Sequence, residues 1–154
     1  MPHIHVDLQI ASESSKLPSL PDIERWVSAA LIKRTSELEI SIRIVDITEG
    51  AKLNQQWRNK SGPTNVLSFP ADLPVEVGLS LLGDLVICAP TVEEESKEQG
   101  KSLQAHWAHI VIHGTLHLLG YDHIEDDQAR LMESLEVKIM KSIGFPDPYQ
   151  DNNC

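Results

Sequence analysis

The segment Leu81-Leu82-Gly83-Asp84-Leu85-Val86-Ile87-Cys88-Ala89-Pro90 reads as a strand that passes directly into a helix. It is more apolar than any other strand candidate in the chain, which places it at the centre of a sheet. Ala89-Pro90 opens an acidic helix, carrying Glu93-Glu94-Glu95, that should stop near Gly100, a typical residue just past a helix end. Upstream, Ile4, Val6, Leu8 and Ile10 alternate with His5, Asp7 and Gln9, the period of a half-buried strand. Ile40, Ile42 and Ile44 alternate in the same way up to about Asp46. Val66-Leu67-Ser68-Phe69 lies between Pro63 and Pro70, and prolines at both ends suit an edge strand.

The helices fill the gaps. After a polar loop from Ser12 to Ser19, Pro21 fits a first helical turn, and Ile23, Trp26, Val27, Ala30 and Leu31 form one apolar stripe. Thr48 is the expected N-cap of a short helix carrying Leu53 and Trp57. Ser102 opens a helix to about Leu119, with Gly120 just beyond it. A last helix runs from about Glu125 to Ile143, with Met132, Leu135, Ile139 and Ile143 on one side, and Gly144 and Pro146 end it. The order β-α-β-α-β-β-α-α-α predicts an α+β fold. We expect a single domain over residues 1–154, with a mixed, mostly parallel four-stranded sheet covered by about five helices. The tail from about residue 148 to 154 is expected to be flexible.

The chain has 154 residues, 41% of them hydrophobic, enough to bury roughly 70% of its unfolded surface without disulfides or metals. No stretch approaches the roughly 20 apolar residues of a membrane span, and the N-terminus lacks the pattern of a signal peptide. Two cysteines, Cys88 and Cys154, are too few for a disulfide framework, so a cytoplasmic location is expected. Thirteen basic and 23 acidic residues give a net charge of −10, which argues against broad affinity for nucleic acid. The charge is uneven, however. Residues 1–70 hold eight basic and eight acidic side chains, and residues 71–154 hold five and fifteen. The acidic runs Glu93-Glu94-Glu95 and Glu125-Asp126-Asp127 read as solvated helix faces and helix starts.

The chemistry is concentrated in His113-Gly114-Thr115-Leu116-His117-Leu118-Leu119-Gly120-Tyr121-Asp122-His123. On a helix His113 and His117 sit about 40° apart and about 6 Å along the axis, so both imidazoles can meet one ion. Gly120 can turn the chain back and return His123 as a third ligand. Three imidazoles on Zn²⁺ leave a fourth position for water, the layout of a catalytic site, whereas a structural site is closed by four protein ligands. Ligand type favours zinc without excluding other transition metals. The same spacing occurs in the zinc motif of metzincin peptidases, but those enzymes carry a Glu base directly after the first His. Here that place is Gly114, so a metallopeptidase is disfavoured. His106 and His109 fall on the same side of the helix: either they support or face the substrate, or, as we favour for His106, they form a polar stripe at a cleft edge. Asp122 is either a partner for a ligand imidazole or a proton, or a helix cap.

These residues carry a resemblance. His113 to His123, together with Leu81-Leu82-Gly83-Asp84, Pro63-Thr64-Asn65-Val66-Leu67-Ser68-Phe69-Pro70, Val6-Asp7-Leu8-Gln9 and Gly144-Phe145-Pro146-Asp147-Pro148-Tyr149, resemble the YbeY family of bacterial endoribonucleases, also described as rRNA maturation factors. The resemblance implies a single-strand-specific, zinc-dependent endoribonuclease acting in 16S rRNA 3′-end maturation and late ribosome quality control. It implies one zinc per chain held by His113, His117 and His123, and a catalytic arginine at Arg58. The family commonly has Tyr-Arg-Gly-Lys-Asp where this chain has Trp57-Arg58-Asn59-Lys60-Ser61. The charges at Arg58 and Lys60 are kept, and the glycine turn is expected to shift to Gly62.

Elementary chemistry agrees. Phosphodiester hydrolysis builds charge on nonbridging oxygens, and a guanidinium can grip two of them at once. Arg58 is therefore expected to stabilise phosphate, unless it is simply a solvated arginine at a helix end. Lys60 and His109 are the further substrate-binding candidates. A loop of single-stranded RNA can enter a cleft that an A-form duplex cannot. The expected partners are small-subunit rRNA, the ribosome and ribosome-associated proteins, with no membrane. The alternative reading is a ribosome-assembly factor that binds without cutting and carries a structural zinc. A small positive cleft on an acidic body predicts weak binding to RNA in general, with targeting left to a partner.

Overall fold

A computed structural model describes residues 4–31, 38–58, 64–70, 81–121 and 126–149. The chain runs β1 (Ile4–Ala11), α1 (Leu20–Ala30), β2 (Leu38–Val45), α2 (Ile47–Arg58), β3 (Val66–Pro70), β4 (Leu81–Cys88), α3 (Ala89–Glu98), α4 (Leu103–Leu118) and α5 (Asp126–Ser142). This is the order expected, with five helices and one four-stranded sheet. The strands lie in the order β1-β2-β4-β3. β1 pairs with β2 and β2 with β4 in parallel, while β3 pairs antiparallel with β4 and forms an edge. The sheet is thus mixed and mostly parallel, with the apolar β4 inside it.

Alternation decides which face is core. Ile40, Ile42 and Ile44 of β2 are fully buried, as are Leu85 and Ile87 of β4. They join Ile23, Trp26 and Val27 of α1 and Trp107, Val111 and Ile112 of α4 in one cluster. α4 is buried nearly all round, from Ala105 to Leu118, as expected of a helix at the centre of a domain. α1 packs on α4, α5 packs on both, and α2 lies against β4 and α3. Cys88, at the end of β4, is buried and unpaired. No helix among the described residues is long and apolar enough to cross a membrane.

Helix starts follow their caps. Ser19 accepts from the Asp22 amide at the head of α1, with proline in the first turn, and Ser102 accepts from the Ala105 amide at the head of α4. α2 departs from expectation. It begins at Ile47, so Thr48 lies inside the first turn and is not the N-cap. The Asp46 carbonyl accepts the Gly50 amide, and the Asp46 carboxylate is turned away to accept from Ser12 Oγ and the Glu13 amide. A long-range bond to the loop after β1 therefore takes the carboxylate that local capping would use.

Two local readings are corrected. Glu95 is no solvated face residue: it accepts from His106 Nε2 at 2.9 Å and from Asn65 Nδ2 at 3.1 Å. Burial alone would raise its pKa, but those hydrogen bonds bring it below the usual carboxylate range. His106, read as a polar stripe at a cleft edge, is buried at 3% exposure in this pair. At the closing segment, Pro148 and Tyr149 contact the body of the domain. The Pro148 carbonyl accepts from Lys101 Nζ, and the Tyr149 hydroxyl donates to Glu136 at 2.6 Å. Residues 150–154 lie outside the described residues.

Candidate metal centre

The site is built on the last two turns of α4. His113 and His117 are one turn apart, and their ring centroids lie 4.7 Å apart with the rings at 78°. The helix closes in a Schellman arrangement: the Gly120 amide reaches the His117 carbonyl at 3.0 Å, and the Tyr121 amide reaches that of Leu116 at 3.1 Å. Gly120 has φ +104°, a conformation that favours glycine. His123 and Asp122 lie outside the described residues, as does Lys60. Arg58 ends α2, and its side chain is outside what is described.

Beneath the ring of His113 lies Glu136 of α5, whose side chain is 1% exposed. One oxygen, Oε1, contacts His113 Nδ1 at 2.7 Å and His109 Nε2 at 3.0 Å. The other, Oε2, accepts the Tyr149 hydroxyl. Burial alone would raise the Glu136 pKa, but the hydrogen bonds from His109 and His113, with their charges, outweigh it and hold it at about 2. The carboxylate is therefore ionised and can only accept. This network assigns the ring protons: His113 carries its proton on Nδ1 and His109 on Nε2. Burial lowers the His109 pKa, against the bond to Glu136, which raises it. Its other nitrogen, Nδ1, is buried without a hydrogen-bond partner among the described residues. Burial and then the bond to Glu136 push the Tyr149 phenol up, so it stays a donor.

His109, expected to touch substrate, is thus turned towards Glu136, with its ring edge against Tyr149 at 5.3 Å between centroids. His109, His113 and Glu136 form a group that could hold a metal ion, with one ligand atom from each within 4.8 Å of the others. Two of those separations are hydrogen-bond distances. An ion with bonds of about 2.0–2.1 Å in tetrahedral geometry keeps its ligands about 3.3 Å apart, so an ion held by this trio would have to replace both hydrogen bonds. The donor chemistry fits a second arrangement as well. A His that donates one N–H to a carboxylate and offers its other nitrogen is the usual form of a metal-ligating imidazole. Here that nitrogen is His113 Nε2, on the ring that faces His117.

His113, Glu136 and Tyr149 border a cavity of about 320 Å³, with Ala129, Met132 and Glu133 from α5. A larger hollow of about 600 Å³ lies on the opposite face of the sheet, beside Ser41, Arg43, Phe69 and Asp84. Among the described residues its lining includes no histidine, and the arginine there, Arg43, is committed to Glu49 through two bonds of 2.6 and 3.0 Å. Gly114 points away from the metal residues. A Cβ there would lie 2.8 Å from Leu85 Cδ2 and 3.3 Å from Val66 Cγ2, so a peptidase-type Glu would be driven into the sheet.

Sequence reasoning missed Glu136 and Tyr149. A signal existed for Glu136: it lies four residues from both Met132 and Met140, on the buried side of α5, where a lone carboxylate needs partners.

Comparisons with known proteins agree on a family. The family model described as Endoribonuclease YbeY matches residues 9–144. The chain is 55% identical over 151 residues to "Endoribonuclease YbeY" of Stutzerimonas stutzeri (strain A1501), covering 97% of this chain and 94% of that protein. It is 52% identical over 152 residues to the protein of that name from Cellvibrio japonicus (strain Ueda107), covering 98% and 86%. Among solved structures, the solution structure of TM1509 from Thermotoga maritima is similar with a TM-score of 0.57 and 26% identity, covering 93% of this chain and 99% of that one.

Proposed function

The chain belongs to the YbeY endoribonuclease family, and from that premise we propose that it is a zinc-dependent endoribonuclease specific for single-stranded RNA. The substrate is small-subunit rRNA, cleaved in 16S 3′-end maturation and in late ribosome quality control within the cytoplasm. The observation that carries the metal reading is the pair His113 and His117, their ring centroids 4.7 Å apart at the end of a helix that turns back at Gly120. These two and His123 hold one ion per chain. When bound, that ion supplies Lewis-acid chemistry and positive charge to the phosphodiester. Arg58 grips nonbridging oxygens, and Lys60 steers the strand. His109 contributes from below, through Glu136.

A chelation and add-back experiment tests this. Protein stripped of metal should lose cleavage of a fluorescent single-stranded RNA, regain it with Zn²⁺, and leave a duplex of the same sequence intact. Arg58→Ala should keep its metal and fold while turnover falls by about 10²–10³-fold, the usual loss for one charge-stabilising donor. Cleavage that persists in metal-free protein would remove the metal from the reaction. A parent protein that binds ribosomes but never cuts would favour the assembly-factor reading.

A further inference from the structure

We propose that Glu136 is a positioning residue of the metal centre: by accepting from His113 Nδ1, His109 Nε2 and the Tyr149 hydroxyl, it fixes the tautomer and ring plane of His113 so that Nε2 is presented for coordination. This rests on His113 being a metal ligand. Three facts support it. Glu136 is fully buried on the apolar side of α5, between Met132 and Met140, where a carboxylate is costly without partners. Both oxygens are used, Oε1 by two imidazoles at 2.7 and 3.0 Å and Oε2 by a phenol at 2.6 Å. Coordination by Glu136 beside His113 would have to open the 2.7 Å contact to about 3.3 Å, the separation of two ligands on one tetrahedral ion, whereas positioning of the ring keeps it.

The arrangement has a supporting layer. His109 donates to the same oxygen as His113, and its ring edge packs on Tyr149. Tyr149 comes from the segment after α5, and the preceding residue is tied to Lys101 at the head of α4. Two helices and the closing segment therefore converge on one carboxylate. With Oε1 2.7 Å from His113 Nδ1, His113 cannot take the other tautomer without setting an unprotonated nitrogen against the carboxylate, two acceptors face to face.

Imidazole ¹⁵N spectra of metal-free protein, recorded above the histidine titration range, test the idea without turnover. Wild type should show His113 as the Nδ1–H tautomer. Glu136→Gln should shift His113 towards a tautomer mixture and weaken Zn²⁺ binding by about 10–100-fold, as loss of a ligand's hydrogen-bond partner usually does. Affinity is read by competition with a chromophoric chelator. Affinity and tautomer both unchanged in Glu136→Gln, with only the unfolding midpoint lowered, would make the residue merely structural and overturn the proposal. Should that variant fail to fold, the wild-type spectrum decides alone: an Nε2–H tautomer at His113 overturns it. His113→Ala separates the underlying reading. If it leaves Zn²⁺ affinity intact, His113 is no ligand. If it abolishes binding while Glu136→Gln matches wild type, only the positioning role fails.

Discussion

At Gly83 a Cβ would lie 2.5 Å from the Phe69 carbonyl oxygen and 3.0 Å from Pro70 Cα, with φ at +147°. Both contacts are with backbone, so no side-chain rotation relieves them. Gly83→Ala should cost roughly 2–4 kcal/mol through backbone strain and overpacking, read as a lowered urea midpoint. A midpoint equal to wild type would mean that β3 can move off β4 freely. The same scale shows what single residues reveal before a fold is known. His113 and His117 are legible because both requirements, ligand type and spacing, are local to one helix. Glu136 is not, because its partners come from α4 and from residue 149. Read along α5 alone, it is one acid among several.

Elements were legible wherever their ends carry local chemistry. Prolines bracket β3, Ser19 and Ser102 cap their helices, and alternation marks β1 and β2. The strand order β1-β2-β4-β3 was not, since it depends on which edges meet after the helices pack. The start of α2 misled for a similar reason: Asp46 spends its carboxylate on Ser12 and Glu13, more than thirty residues away. These bonds, that to Ser12 first, hold the Asp46 pKa below the usual carboxylate range. A carboxylate whose pKa is depressed on folding stabilises the fold above its unfolded pKa. That contribution disappears as pH falls through the folded value. The stability gap between wild type and Asp46→Asn, followed by urea unfolding across the acid range, should therefore shrink as pH falls below about 4. A gap that stays constant would mean that the carboxylate's charge plays no part in holding the β1 loop to α2.

For the whole molecule, the net charge of −10 taken alone argues against RNA, and the structure refines what that charge means. Two of the acids in the charged half are paired with histidines, Glu136 fully buried and Glu95 half-buried, so neither is a freely solvated charge. The candidate centre lies where α4, α5 and the closing segment converge, bordering a cavity of about 320 Å³. Its ion would add positive charge to an acidic body, which favours a narrow, targeted encounter with RNA over broad adhesion. The central claim is that metal and cleavage depend on the same histidines. Elemental analysis of untagged protein, paired with single-strand RNA cleavage on the same preparation, tests it in wild type and His117→Ala. The account predicts about one zinc per chain with cleavage in wild type, and loss of both together in the variant. His117→Ala protein that carries no metal yet cuts RNA at the wild-type rate would contradict it.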